Sequence, residues 1–496
     1  KNSNNTFIVE PQFDYDHQFG NSTLHVLLGG TYQNNNADGE SITASNFSSE
    51  SLMKNLGSAG SYSISNNYTQ YRYASVFGRV NYNIANKYII NATVRRDGSS
   101  RFGTDKQFGN FGSIGAAWLW SNEDLVKSGL PFISYGKLRA SYGLTGNDQI
   151  TDYQYLSAYG SSGNIYEGIS GLKPSRIANP DFRWETTKKM EFALELGLLK
   201  NRVLLNINYY HDLTSDQLIA YSIPSITGFT SYQANLPAVV QNNGWEFELN
   251  TKNIQQGKFS WATTFNLTVP KNTLKSFPNL ATSSYANTLV IGEDINRIYG
   301  YQFAGLDNTG LALYSSKTGP ASNAPYSATD AYYTIGKRTP DFYGGIGNTL
   351  TYGNWSFDVF GQFAKQMSLG NLVYIPGAQQ FNSYVTGLNR WTTANTNTRI
   401  PKASTINDYS FFQSSANYFN TSYFRVKNIA VAYALPKTWL GKMGIEQGRI
   451  FAQAQNMFTF WNRNNPLLDP ESGTFSGTSN NLPPAKSLVI GMQLTF

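Results

Sequence analysis

The chain has 496 residues, of which 15% are aromatic and only 14% charged, with no cysteine and three histidines. Soluble proteins carry about 25% charged residues, yet no window approaches the ~18 uninterrupted apolar residues of a membrane helix, so a helical membrane protein is excluded. The missing cysteines rule out disulfide frameworks, thiolate zinc sites and cysteine nucleophiles, and His17, His25 and His211 are too scattered to form a metal site. The net charge of +7 comes from dispersed Lys and Arg with no basic run, which argues against nucleic acid. Lys1 opens onto Asn-rich polar sequence rather than the apolar core of a signal peptide; a leader is expected to have been removed, or the natural N-terminus to lie elsewhere.

Alternation of apolar and polar residues with a period of two predicts strands with one face of each kind. It predicts fifteen, near 7–16, 22–33, 71–83, 87–97, 108–120, 134–145, 183–199, 202–212, 241–250, 257–269, 340–352, 354–365, 421–435, 447–460 and 485–496. Near residue 195, Phe192, Leu194, Leu196 and Leu198 alternate with Glu191, Ala193, Glu195 and Gly197. Near 260, Phe259, Trp261, Phe265, Leu267 and Val269 oppose Ser260, Ala262, Thr264, Asn266 and Thr268. In the strand near 421–435 the parity changes between Phe424 and Val426 and the later Ile429, Val431 and Tyr433, which predicts a β-bulge near Lys427 and Asn428. At the C-terminus, Leu488, Ile490, Met492, Leu494 and Phe496 share one face.

Connections alternate between tight turns near Asn86, Asn201 and Gly353 and long polar stretches such as 34–70, 146–182, 213–238, 270–339, 366–420 and 461–484. Transmembrane barrels sort their loops in this way, with short periplasmic turns and long extracellular loops. Tyr82, Tyr88, Trp118, Trp120, Tyr209, Tyr352, Trp355, Tyr433 and Phe496 mostly fall beside the short turns or the chain end, where an aromatic girdle belongs. A β-sandwich core is the competing explanation of alternation alone. The expectation is an all-β, transmembrane antiparallel β-barrel with the same pattern from residue 1 to 496. Fifteen is odd, whereas bacterial single-chain barrels have even strand numbers. The chain is therefore expected to be the C-terminal part of a larger barrel, its first strands absent or supplied by another polypeptide.

Several segments resemble the SusC family of TonB-dependent outer-membrane transporters, in order and spacing. They are Phe77-Gly-Arg-Val-Asn-Tyr82, Lys87-Tyr88 and Arg96-Asp-Gly-Ser-Ser-Arg-Phe102; Leu138-Arg-Ala-Ser-Tyr-Gly143 with Thr145-Gly-Asn147; Asn243-Gly-Trp-Glu-Phe-Glu248; Arg425-Val-Lys-Asn428; Gln455-Asn456; and Asp469-Pro-Glu471. The resemblance implies a 22-stranded barrel with a plugged lumen, leaving about seven strands and an N-terminal plug outside this chain. It implies import of a large nutrient, a glycan fragment or a peptide, across the outer membrane of a Gram-negative bacterium, with a SusD-like lipoprotein as lid and the TonB complex acting through the plug. A structural or accessory role in an outer-membrane assembly, without transport, is the alternative. No catalytic residue, metal or cofactor is expected.

On the barrel reading, Arg79, Arg95, Lys137, Arg139, Glu191, Glu195, Glu246, Glu248 and Asp358 face the lumen, where pairing between neighbouring strands or packing against a plug competes with substrate contact. Glu246 and Glu248 point the same way, unlike the facing carboxyls of a glycosidase. In the 366–420 stretch, Tyr374, Phe381, Tyr384, Trp391, Tyr409, Phe411 and Phe412 lie among Asn, Gln, Ser and Thr. Aromatic faces and amides suit sugars. Of these, Tyr384, Trp391, Tyr409, Phe411 and Phe412 are the candidate substrate contacts, with loop self-packing or lid docking as the alternatives. Stretch 270–339 is long enough to require some fold of its own. Asp307, Asp330 and Asp341 lack the clustered spacing of a calcium loop.

Overall fold

The computed structural model describes residues 2–324, 332–370, 375–378, 389–441, 444–462, 469–471 and 482–496. In chain order its strands are β1 (Asn2–Val9), β2 (Gln12–Phe19), β3 (Ser22–Phe47), β4 (Ala59–Ile84), β5 (Tyr88–Ser99), β6 (Phe108–Trp118), β7 (Ile133–Asn147), β8 (Ala158–Tyr166), β9 (Ile169–Arg176), β10 (Glu185–Leu198), β11 (Val203–Ser222) and β12 (Ser231–Gln256). They continue as β13 (Phe259–Ser276), β14 (Arg297–Tyr301), β15 (Phe303–Leu306), β16 (Ala312–Tyr314), β17 (Tyr332–Lys337), β18 (Phe342–Tyr352), β19 (Trp355–Lys365), β20 (Met367–Leu369), β21 (Tyr418–Asn420), β22 (Tyr423–Ala434), β23 (Gln447–Trp461) and β24 (Ser487–Thr495).

The main sheet runs β1, β3, β4, β5, β6, β7, β10, β11, β12, β13, β18, β19, β22, β23, β24, with β2 also on β3. β1 and β2 follow one line along β3, since Val9 faces Tyr32 and Gln12 faces Gly29. Pro11 interrupts the line because it has no N–H for the ladder; its carbonyl still accepts from Gly30 N at 3.1 Å. With that line counted once, the 16 strands become 15, one for each expected segment. The tight turns use left-handed backbone at Ala85 and Asn86, at Leu199 to Asn201, and at Gly353 (φ 57°).

The chain divides into two compact units. In the first (1–119, 139–191 and 212–239), the register places Val76, Val80, Ile90, Val94 and Ile114 on one face and Arg79, Asn91, Thr93, Arg95 and Ser113 on the other. Val76 is 71% and Val94 69% exposed. In the second (120–138, 192–211 and 240–496), Trp355, Tyr433, Ile450 and Met492 form one row across β19, β22, β23 and β24, and Met492 is 61% exposed.

A sandwich would bury such rows against a second sheet. Among the described residues, buried apolar side chains instead form small clusters, such as Phe102, Phe111, Phe182 and Trp184 in the first unit and Ala312, Tyr314, Ile375, Phe411 and Ala416 in the second, with others such as Leu274 and Leu440 buried apart from them. Exposed apolar surface of this extent is unfavourable in water and fits a face turned to lipid. No helix among the described residues is long and apolar enough to cross a membrane.

The bulge lies where parity demanded it. Between β19 and β22 the pairing steps from Phe360–Asn428 to Gly361–Val426, leaving Lys427 outside the ladder; the pairing with β23 also shifts here, from Val426–Phe458 to Asn428–Gln455, leaving Asn456 and Met457 opposite Lys427. The extra residue returns Phe424, Val426, Ile429, Val431 and Tyr433 to one face.

Some strands run beyond the alternating stretches. β3 and β4 stay paired out to Phe47–Ala59, where the sequence suggested a loop over 34–70, and β11 and β12 extend into 213–238. The extensions of β3 and β4 are mostly Asn, Ser, Thr and Gly, with Ile42, Tyr62, Ile64 and Tyr68 too few to make a clear period, and those of β11 and β12 break alternation with Leu218-Ile219 and Pro237. Stretch 270–339 does hold folded structure: β14 pairs with β17 and β15 with β16.

Candidate functional site

The polar face of the main sheet is lined by charges that neighbouring strands satisfy. In the first unit, Arg139 Nη1 lies 2.7 Å from Glu191 Oε1, and Arg79 Nε donates to Asn91 at 2.9 Å. Arg95 Nε donates to Asp97 at 2.8 Å and its Nη2 to the Tyr73 hydroxyl at 2.7 Å. In the second, Lys137 Nζ lies 3.3 Å from Glu195, which also accepts from the Tyr135 hydroxyl at 3.4 Å. Glu246 accepts from Asn208 at 3.0 Å, Glu248 from Asn250 at 2.9 Å and Asp358 from Thr349 at 2.7 Å. Each carboxylate thus has a partner on its own face, and Glu246 and Glu248 do not oppose one another. This arrangement wets a wall; it does not assemble an acid–base pair.

One hollow of about 400 Å³ opens on this face in the first unit, lined by Arg95, Asp97 and Asp148 above Phe111, Leu144 and Trp184. Asp148 is held by the Ser99 hydroxyl at 2.7 Å and the Tyr71 hydroxyl at 2.8 Å. Arg101 stacks over Tyr71, 4.2 Å from its centroid, and pairs with Asp152 at 2.9 Å. Phe111 and Trp184, both buried, meet edge-on in its lining with centroids 5.3 Å apart.

The second unit carries a layer of short elements rich in tyrosine. Tyr332 meets Tyr301 edge-on at 4.5 Å and Tyr299 at 5.3 Å, while Tyr301 leans on Tyr314 at 5.4 Å. The Tyr314 hydroxyl donates to Asp408 at 2.6 Å; burial first, then that carboxylate, raises the Tyr314 phenol far above its ordinary range. Burial, followed by the Tyr301 hydrogen bond, pushes Tyr332 up to about 12. Tyr314 and Tyr332 therefore stay neutral and act through hydrogen bonds and edge contacts. Burial would raise Glu293, but hydrogen bonds from Arg297 and Thr334 outweigh it and hold the carboxyl below its usual range.

Of the five candidate contacts, Tyr384 lies outside the described residues, as do Tyr374 and Phe381. Tyr409 is 70% exposed. Trp391 lies over the backbone of Gly310, where any Cβ would strike its indole. Phe412 is half-buried, and Phe411 is enclosed with Tyr314 and Ile375, so its ring holds the layer together from inside. Asp307 is occupied by Thr309 N, Thr309 Oγ1 and Leu311 N, and Asp341 by Lys337 and Lys365; Asp330 lies outside the described residues.

The structure brings together two segments that nothing local in the sequence links. Arg425, 1% exposed, donates through Nη2 to both oxygens of Asp469 at 2.5 and 2.6 Å, and its Nε lies 2.6 Å from Glu471. Lys427, the bulge residue, reaches the same Glu471 at 2.8 Å, as does the Tyr423 hydroxyl at 3.0 Å. The Asp469-Pro470-Glu471 turn is thereby clamped to β22. Nothing in the period of the sequence singles out the tyrosines of the loop layer, where only the local density of Tyr299, Tyr301, Tyr332 and Tyr333 marks them.

Comparison with known proteins adds a framework to this geometry. The family described as TonB dependent receptor-like, beta-barrel matches residues 1–457. TonB-dependent receptor P3 of Formosa agariphila is 32% identical over 95% of this chain and 49% of its own length. TonB-dependent receptor SusC of Bacteroides thetaiotaomicron is 27% identical over 97% of this chain and 49% of its own. The chain thus spans about half the length of these curated relatives. Among solved structures, the RagAB peptide transporter superposes with a TM-score of 0.86 at 25% identity, covering 100% of this chain and 56% of that one. The RagAB importer in its closed-closed state gives 0.87 at 26%, with the same coverage.

Proposed function

Because the chain belongs to the TonB-dependent receptor-like β-barrel family, we propose that it forms the C-terminal part of an outer-membrane importer that binds a large nutrient and passes it inward unchanged. The nutrient is a glycan fragment or a peptide, and a SusD-like surface lipoprotein serves as lid. The long connections and the tyrosine layer face the outside, and the tight turns face the periplasm. About seven further strands and a plug complete the barrel, and the plug receives the pull of TonB.

The observation that carries this reading is the pairing of a wetted inner face with a tyrosine-rich loop layer on one wall. Edge-packed phenols offer aromatic surface and hydroxyl hydrogen-bond partners together, which suits sugars and peptides alike and needs no chemical step. Likeness to the RagAB peptide transporter supports peptide as cargo. The test is mass spectrometry of the full-length protein extracted gently from its native membrane. A co-purifying lipoprotein and a retained oligosaccharide or peptide are expected, with Tyr301→Ala and Tyr332→Ala together losing most of the solute. A protein that retains neither lipoprotein nor solute would contradict the reading.

A further inference from the structure

On the import reading above, we propose that the hollow beside Phe111 and Trp184 is a subsite for the basic side chain of a bound peptide, with Asp148 as its counter-charge. The solute is thereby narrowed to a basic peptide. Arg95, Asp97 and Asp148 are the ionised groups of the lining, one positive and two negative, so the hollow carries a net charge of −1. Its one cation is already engaged. Arg95 Nε donates to both oxygens of Asp97 at 2.9 and 2.8 Å, and its Nη2 donates to the Tyr73 hydroxyl at 2.7 Å. Arg101 lies close by, donating to the backbone carbonyl of Asp148 at 3.1 Å, but its charge is answered by Asp152 at 2.9 Å.

Asp148 is held differently. Its Oδ2 accepts from the Ser99 hydroxyl at 2.7 Å and the Tyr71 hydroxyl at 2.8 Å, both neutral donors. Among the described residues, no side-chain cation pairs with this carboxylate and its Oδ1 accepts no hydrogen bond. The two hydroxyls fix the group in place and leave one oxygen open to a guest.

The rest of the lining selects the kind of cation. A calcium ion needs about six to eight oxygen ligands, and among the described residues no group of three acidic or histidine side chains gathers to hold a metal. Phe111, Leu144 and Trp184 supply apolar wall instead. The Trp184 indole N–H is spent on the Gln107 carbonyl at 2.9 Å, so that side chain offers only carbon surface. Lysine and arginine side chains join a charged tip to an apolar stem, and the tip makes a charge-assisted hydrogen bond to a carboxylate. A neutral sugar leaves the charge of Asp148 unanswered, and an acidic residue meets like charge. A volume of about 400 Å³ sits at the small end of ligand pockets, about 300–1,000 Å³, which suits one side chain of a larger solute.

Position favours an arriving peptide over a side chain of the plug. β5 begins just after the tight turn at Ala85 and Asn86, and Arg95 and Asp97 lie toward its other end; Asp148 directly follows the last residue of β7. The hollow therefore lies at the end of the wall away from that turn. On the import reading this is the outer end, where solute enters.

The test titrates the purified full-length protein with acetylated, amidated Ala-Arg-Ala and with its citrulline counterpart, which has the same shape and no charge, and reads affinity by ligand-observed NMR. The arginine peptide should bind about tenfold tighter or more. Asp148→Asn, which keeps an acceptor for Ser99 and Tyr71 but removes the charge, should abolish that preference. If Asp148→Asn does not assemble, Thr145→Trp, placed on an exposed residue of the lining, fills the hollow, keeps every charge and must give the same loss. Equal affinity for the two peptides, a preference that survives both substitutions, or a density map with a side chain of the protein's own plug in the hollow would overturn the proposal. Because binding is read on purified protein, it separates from uptake: preference without uptake keeps the subsite and removes import, and uptake without preference does the reverse.

Discussion

Arg425 shows how a residue can be conspicuous in sequence and still hide its role. The Arg-Val-Lys-Asn and Asp-Pro-Glu segments are 40 residues apart in a chain without helical or hydrophobic cues linking them, so nothing local tells that they meet. In the structure the guanidinium is enclosed and its charge is answered by Asp469 and Glu471. Removing one partner of a buried pair typically costs about 3–5 kcal/mol, because the remaining charges stay desolvated. Arg425→Ala should therefore lower stability by about that amount in thermal or denaturant unfolding of the detergent-solubilised full-length protein. Lys427→Ala should cost only about 1 kcal/mol, since Glu471 keeps Arg425 and Tyr423; equal losses would contradict the division of roles. Glu293 gives a pH prediction. Its folded pKa is depressed by Arg297 and Thr334, so its contribution is present above the unfolded value and is lost as pH falls through the folded one. Limited proteolysis of the loop layer should accelerate as pH falls below the ordinary carboxylate range, and Glu293→Gln should flatten that acid dependence.

At the scale of elements, alternation revealed every strand of the main sheet and even the bulge at Lys427, because a lipid-facing side and a wet side impose opposite demands on successive residues. Where that contrast ends, the signal ends with it. The outer reaches of β3 and β4 are Asn-, Ser- and Thr-rich on both sides, and their pairing follows from register continued outward, not from hydrophobicity. The small sheets of the loop layer are short and apolar only where they touch Phe411 and Tyr314, too little for a period to show. The facing itself can be tested at Phe265, whose partner Ile346 lies near the middle of β18. Phe265→Arg should hinder insertion at a cost of about 2–4 kcal/mol, whereas Asn266→Arg on the opposite face should assemble; heat-modifiable mobility of the inserted protein reads the difference. Equal assembly would contradict the assigned facing, and a reversed outcome would mean that the two faces are exchanged.

At the scale of the molecule, the candidate site was less legible than the fold. Aromatic residues amid amides marked the loops as a contact region, but sequence alone could not separate Phe411, which packs inward, from Tyr409, which is exposed. That distinction depends on the contact of distant segments, 312–314 with 411–416. The hollow over Phe111 and Trp184 depends on a similar meeting of β4, β5, β6 and β7 with the start of β10. The chain spans about half the length of its curated relatives, so the import proposed above is tested on the full-length protein. The most direct test is growth of a strain lacking the gene on defined glycan fragments or peptides as sole nutrient. Growth should fail on at least one large nutrient, persist on its monomers, and return with the full-length gene. Unchanged growth on every large nutrient, together with a disturbed outer membrane, would contradict import and leave a scaffold in its place.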